Sequence, residues 1–386
     1  MSSITPITVA YGDGIGPEIM QSVITILKEV EAPLRFEIIE VGEKLYKKNY
    51  TSGIANDTWE SIARTKILLK APITTPQGKG YKSLNVTLRK ALGLYANIRP
   101  SISYHPFLKT MFPNLDIVII RENEEDLYAG IEYQHTRNMR ESVKLISKTG
   151  CEKIIKYAFD YAVLNQRKKV TCFVKDNIMK LSDGIFHQVF NQIAEKYPSI
   201  ESDHYIVDIG TAKLATQPEL FDVIVTSNLY GDIISDVIAS MSGSVGLAGS
   251  ANIGLDYAMF EAIHGSAPDI AGQNIANPSG LLNAAIMMLV HIGQGETANI
   301  IENAWKKTLE DGINTVDIYK ENHSVKKVGT IEFTKEIIKR LGQKPTKLSK
   351  ASYITEEANN KFSTSYTINT KIEKKLTGVD VYIDLN

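Results

Sequence analysis

Residues 7–30 read ITVAYGDGIGPEIMQSVITILKEV, and the fold class turns on them. Ile7 to Ala10 is a short β-branched, continuously apolar run, which suits a strand buried on both faces. A glycine-rich turn follows. Pro17 and Glu18 then open a helix in which Ile19, Val23, Ile26, Leu27 and Val30 recur at helical spacing. The same alternation continues along the chain. FEIIEV (36–41), ILLKAP (67–72), DIVII (116–120), KVTCFV (169–174), HYIVDI (204–209) and DVIVTS (222–227) lie between stretches of helical period, one running from Glu152 to about Gln166. Strands alternating with helices of this length predict an α/β fold, a largely parallel sheet covered by helices on both faces.

Composition narrows the function. The chain has 386 residues, 43% of them hydrophobic, with 43 Lys+Arg against 44 Asp+Glu for a net charge of −1. That length suggests two domains, and the balanced charge lacks the basic footprint of a nucleic-acid binder. Two cysteines, Cys151 and Cys172, make neither a disulfide framework nor a cysteine zinc site. No leader and no membrane span is legible, so a soluble cytoplasmic enzyme of small molecules is expected. Residues Ala129 to Gly150 alternate polar and apolar without helical period and read as a projecting hairpin arm. After Leu341 the composition turns polar and Lys/Thr/Ser/Asn-rich, and the chain ends on the strand-like GVDVYIDLN (378–386). That segment pairs elsewhere or the natural chain continues.

Several stretches carry chemistry, most of them beside a plainer alternative. GDGIGPE (12–18) sits where a dinucleotide loop would, but Pro17 stands at the third glycine of that fingerprint, so a standard Rossmann enzyme is disfavoured and a tight turn favoured. TTPQGKGYKSLNVTLRKALGLYANIRP (74–100) concentrates Ser83, Asn85, Arg89 and Arg99, donors that suit a polycarboxylate. Read plainly, these are surface arginines and a helix cap. In IIRENEEDLYAG (119–130), Arg121 ends a strand near Tyr128, while Glu122, Glu124, Glu125 and Asp126 read as a solvated loop. SNLYGDIISDVIA (227–239) places Asp232 and Asp236 on one helical face, where two carboxylates call for a cation such as Mg²⁺ or Mn²⁺ unless Asp232 merely complements the helix N-terminus. Asp208 ends a strand and offers a third oxygen. Lys175 in FVKDNIMK follows another strand end. Finally, EAIHGSAPDIAGQNIANPSG (261–280) is too rich in breakers for an element interior, and constrained backbone there lets a flat ligand approach.

In this order, YGDGIGPE, the TTP…SxNxxxR segment, RENEEDLYAG, KDNIMK, NLYGDIISD and HGSAPDIAG resemble the decarboxylating β-hydroxyacid dehydrogenases, over about residues 4–341. The resemblance implies a large domain from 1–94 and 243–341, a small domain from 95–128 and 151–242, an arm at 129–150, and an extension at 342–386. It implies that Arg89, Arg99 and Arg121 clamp substrate carboxylates. It also implies that Ser83 and Asn85 hold the distal carboxylate that distinguishes isocitrate from isopropylmalate. Asp232 and Asp236, with Asp208 of a second copy, would hold Mg²⁺ or Mn²⁺; Lys175 of that copy would help take the hydroxyl proton; Tyr128 would protonate the enolate. A nicotinamide would lie near Thr75 and Asn85, and its adenosine in the loop of His264, Gly265, Ala267, Asp269, Ile270 and Asn277. A homodimer with shared sites follows, with neither nucleic acid nor membrane as partner. The alternatives are an isopropylmalate dehydrogenase and a non-catalytic regulatory subunit.

The charge of Asp269 then predicts the cofactor. A carboxylate repels the 2′-phosphate of NADP and accepts a hydrogen bond from the 2′-hydroxyl of NAD. The resemblance implies that NADP-using relatives typically carry Lys and Tyr at positions 269 and 270, with Ile318 and Asn322 standing where their later Tyr and Arg partners would fall. NAD is expected, with NADP as the alternative through Lys320, Lys326 and Lys327.

Overall fold

The seven strand runs read between helices all join one ten-stranded sheet. The structure is a computed structural model and describes residues 4–48, 50, 53–75, 83–353, 378–379 and 381. Its strands are β1 (Thr5–Ala10), β2 (Leu34–Ile39), β3 (Ile67–Lys70), β4 (Ala96–Ile102), β5 (Asp116–Glu122), β6 (Glu132–Gln134), β7 (Arg140–Ser142), β8 (Lys169–Val174), β9 (Glu201–Ile206), β10 (Val223–Thr226), β11 (Gly249–Ile253) and β12 (Ala258–Ala262). In the main sheet they stand in the order β2-β1-β3-β12-β11-β4-β5-β10-β8-β9. Four strands at each end are mutually parallel, and the expected parallel character holds there. Between them β12, β11, β4 and β5 pair antiparallel. The sheet is therefore largely parallel, as expected, and the seam of three antiparallel pairings is what the sequence reading did not foresee.

β4, β11 and β12 escaped the sequence reading because ANIRPSI, GSANI and AMFEA are interrupted by polar side chains. Asn97, Arg99, Asn252 and Glu261 are buried all the same, so they must bond one another. β9 ends at Ile206, which moves Asp208 from a strand end into the first turn of the helix Val207–Thr216. There its negative charge meets the positive end of the helix dipole.

The glycine turn after β1 serves close packing. Gly12 and Gly14 have φ of 66° and 58°, and a Cβ on Gly14 would sit 2.0 Å from the Ser266 carbonyl oxygen. The loop at residues 264–278 therefore rests directly on this turn. β6 and β7 form the expected hairpin, separate from the main sheet, with Glu132 opposite Ser142. Ser147 caps the helix Lys148–Leu164, so Gly150 is already helical. Residues 342–353 of the tail dock on the helix Gly295–Glu310: Glu310 accepts three backbone N–H groups from Thr346, Lys347 and Leu348, and the Tyr353 hydroxyl donates to Glu302 at 2.5 Å. Most of GVDVYIDLN falls outside the described residues. No helix among the described residues is long and apolar enough to cross a membrane.

Candidate active site

Pairing in the antiparallel seam puts its polar side chains on one face. Asn97 stands opposite Arg121 and opposite Asn252, and Ser250 stands opposite Glu261. The hydrogen bonds then run unbroken across five strands. Glu261 meets Lys70 Nζ at 2.7 Å and Arg89 Nη2 at 2.8 Å, all three buried. Asn252 donates to Glu261 at 3.0 Å and accepts from Asn97 and Asn123. Asn97 accepts from Arg99 Nε at 2.6 Å. Arg99 donates to Ser235 at 2.7 Å and lies 3.1 Å from Asp232. Arg121 pairs with the same Asp232 and donates twice to Asn228. The Tyr128 hydroxyl also donates to Asp232, with the Arg121 guanidinium 4.8 Å over its ring.

The structure thus gathers Arg89, Arg99, Arg121, Tyr128, Asp232 and, at 3.8 Å from Arg99, Asp236. These arginines are buried, not on the surface. Burial and the crowding of Arg99 and Arg89 push the Arg121 guanidinium down to about 9, the mark of cations short of anions. Asp232 keeps its charge: burial alone would raise its carboxyl, but Arg121 and Arg99 hold it below the usual range. Asp236 is raised, first by burial. Burial likewise raises the Tyr128 phenol, so it carries its proton at neutral pH.

On the other side of the seam, Asp13 accepts the backbone N–H of Thr74, whose hydroxyl meets Ser266 at 2.8 Å. Thr75 donates to Ser83 at 3.3 Å, and Ser83 caps the helix Leu84–Ala91. Asn85 Oδ1 and His264 Nε2 are buried without a hydrogen-bond partner, two orphaned polar atoms of the kind a bound ligand satisfies. Ala267 adopts a left-handed conformation at the loop's turn, and Asn277 is tied to Asp317 and the Ser279 N–H. The residues fit a flat polar cofactor. For a metal, Asp232 and Asp236 supply hard oxygens from one helix face, which suits Mg²⁺ or Mn²⁺. Asp208 is not brought to them within one chain; it is 67% exposed and paired with Lys175 at 2.6 Å.

The acidic run after Arg121 is not a solvated loop. Glu122 and Asp126 are buried; Glu122 accepts the N–H groups of Glu124 and Glu125, and Asp126 that of Leu229. Burial pushes the Glu122 carboxyl up to about 7. Its folded value lies above its unfolded one, so between about pH 4.5 and 7 the folded state holds the extra proton and stability falls as pH rises. Urea melts from pH 5 to 8 should show Glu122→Gln gaining on the wild type by about 1–3 kcal/mol across that window. A constant difference between the two proteins would contradict this. The residues missed in the sequence, Lys70, Asn97, Asn252 and Glu261, left one trace: charged or amide side chains inside otherwise apolar strands.

A buried row of arginines facing paired aspartates and a phenol, on a mixed sheet without a Rossmann fingerprint, defines a class of protein built to hold small polycarboxylates. The family model described as Isocitrate/isopropylmalate dehydrogenase matches residues 6–337, and the chain belongs to that family. It is 71% identical over all 386 residues to Isocitrate dehydrogenase [NADP] of Rickettsia bellii, covering 80% of that protein, and 67% identical to the namesake of Rickettsia prowazekii over the same coverage. A crystal structure of isocitrate dehydrogenase from Methylococcus capsulatus superimposes with a TM-score of 0.84 at 42% identity, covering 88% of this chain and 100% of that one.

These names overturn the NAD expectation: such close relatives are NADP enzymes by name. The physical error is visible. Asp269 lies exposed on its helical turn, where water and salt screen a lone carboxylate, and Ile270 packs against the core. Lys326 and Lys327 pair with Ile313 and Asn314 and lead into Thr330 and Ile331, which bond Asn274 of the same loop. Lys326 is itself paired with Glu332, so what fails is the reading of the loop's sign from one exposed carboxylate.

Proposed function

We propose that the chain catalyses oxidative decarboxylation of isocitrate to 2-oxoglutarate and CO₂ with NADP as the oxidant. The observation that carries this is the buried arginine cluster around Asp232 and Tyr128. Arg89, Arg99 and Arg121 bind and orient the substrate carboxylates, and Ser83 with Asn85 takes the distal one. When bound, Mg²⁺ or Mn²⁺ at Asp232 and Asp236 supplies Lewis acidity at the substrate hydroxyl, and NADP, near Thr75 and in the loop from His264 to Asn277, supplies the hydride acceptor. Lys175 and Asp208 reach the site from a second copy, so the working unit is a dimer, and Lys175 draws the hydroxyl proton. After the carboxylate leaves as CO₂, Tyr128, whose phenol is protonated at neutral pH, returns a proton to the enolate carbon. Residues 1–94 and 243–341 carry the cofactor in this reading, and residues 95–128 and 151–242 the metal.

The test is turnover of isocitrate and of isopropylmalate with NADP and with NAD in Mg²⁺. Isocitrate with NADP should lead. Absence of turnover, or preference for isopropylmalate, would reject the proposal. Tyr128→Phe loses only the phenol proton, so it should slow decarboxylation of added oxalosuccinate by about 10²–10⁴-fold while hydride transfer suffers less. Undiminished decarboxylation would remove Tyr128 from the mechanism.

A further inference from the structure

Away from that site, three metal-capable side chains from three elements converge. Asp176 follows β8, His187 lies on the helix Ser182–Ala194, and His204 stands on β9 opposite Cys172. His187 Nδ1 is 2.7 Å from one Asp176 oxygen, and His204 Nε2 is 3.6 Å from the other. The two imidazoles stack, their centroids 3.8 Å apart and their planes 15° from parallel. Nε2 of His204 is buried and makes no hydrogen bond. All the ligating atoms lie within 4.8 Å of one another, so an ion about 2.0–2.2 Å from each needs only side-chain rotation.

A stacked imidazole pair sharing one carboxylate cannot take two protons without bringing like charges face to face, whereas one divalent ion satisfies both lone pairs and the carboxylate together. We infer that Asp176, His187 and His204 form a second metal site, for a Zn²⁺-class ion, with its remaining position open to solvent. Two nitrogens and an oxygen suit zinc and its borderline neighbours, while the all-oxygen pair Asp232 and Asp236 suits Mg²⁺, so the two sites select different ions. The ion would tie together β9, the helix Ser182–Ala194 and the segment after β8. That segment carries Lys175, whose backbone N–H is already held by Asp183 at 2.6 Å. The site is therefore a structural clamp beside the residue offered to the second copy.

The test uses the full chain without a histidine tag, stripped with chelator and titrated with Co²⁺, then Zn²⁺. Wild type and Asp232→Asn should each bind one Co²⁺ with visible ligand-field bands that Zn²⁺ abolishes, and Zn²⁺ should raise the melting temperature by a few degrees. His204→Gln and Asp176→Asn should lose the bands and weaken Zn²⁺ binding by more than ~100-fold, since losing a ligand exceeds the 10–100-fold typical of losing a ligand's supporting partner. Circular dichroism and Mg²⁺-supported turnover of His204→Gln should match the wild type. Bands that persist in both variants, or that are absent in the wild type, overturn the site. Bands that vanish only in Asp232→Asn place the ion at the catalytic pair and overturn it equally.

Discussion

Asp232→Asn should lower metal-dependent turnover by about 10³-fold, because a Lewis acid supplies several kcal/mol of transition-state stabilisation and this change removes its anchor. The substitution alters charge without volume. Asp232 also stands between Arg99, Arg121 and Tyr128, so the variant loses the anion that aligns these two arginines as well as the proposed metal ligand. The apparent affinity for Mg²⁺ should therefore fall together with kcat. Initial rates across a Mg²⁺ titration, with a thermal melt as the control for folding, separate this effect from unfolding. Near-wild-type rates in metal-limited buffer would remove Asp232 from the metal site.

Glu261→Gln should destabilise the fold by about 3–5 kcal/mol, the usual cost of leaving buried charges without their partner. The carboxylate is the shared counter-ion of Lys70 and Arg89, and its two oxygens accept from Lys70, Arg89 and Asn252. Glutamine keeps the shape but offers no charge and turns one acceptor into a donor aimed at a cation. The pH dependence has a definite sign. Burial would raise the Glu261 carboxyl, but Lys70 and Arg89 hold it far below its ordinary value. Its contribution is therefore present in full above about pH 4.5 and fades only in acid below that. Urea melts should show a difference between variant and wild type that is constant from pH 6 to 8 and shrinks below pH 4. Lys70→Met added to Glu261→Gln should recover part of the loss, because one unpaired cation then disappears; strict additivity would contradict the shared ion cluster.

The α/β class was legible because burying a parallel sheet on both faces demands unbroken apolar strands, and ITVA, DIVII and KVTCFV advertise that requirement residue by residue. The family signature was legible for a related reason, since residue types at fixed spacing follow from the chemistry they serve. Arg121 at a strand end and the four-residue spacing of Asp232 and Asp236 needed no coordinates. The antiparallel seam did need them. Asn97, Asn252 and Glu261 have poor strand propensity and, with Arg99, are retained in β4, β11 and β12 only because each meets a polar partner across the seam or on a covering helix.

The same dependence on distant partners separates the remaining residues. Glu122 and Asp126 look like any acidic loop until a folded chain covers them, and the weight of Asp269 against NADP depends on its exposure, which a local window does not contain. Sequence by itself determined which groups are present and where the apolar strands and amphipathic helices run, because periodicity and spacing are local quantities. Tertiary structure alone decided which charges are buried, which are paired, and that Asp176, His187 and His204 meet, because burial and Coulomb energy depend on distance through space and not along the chain.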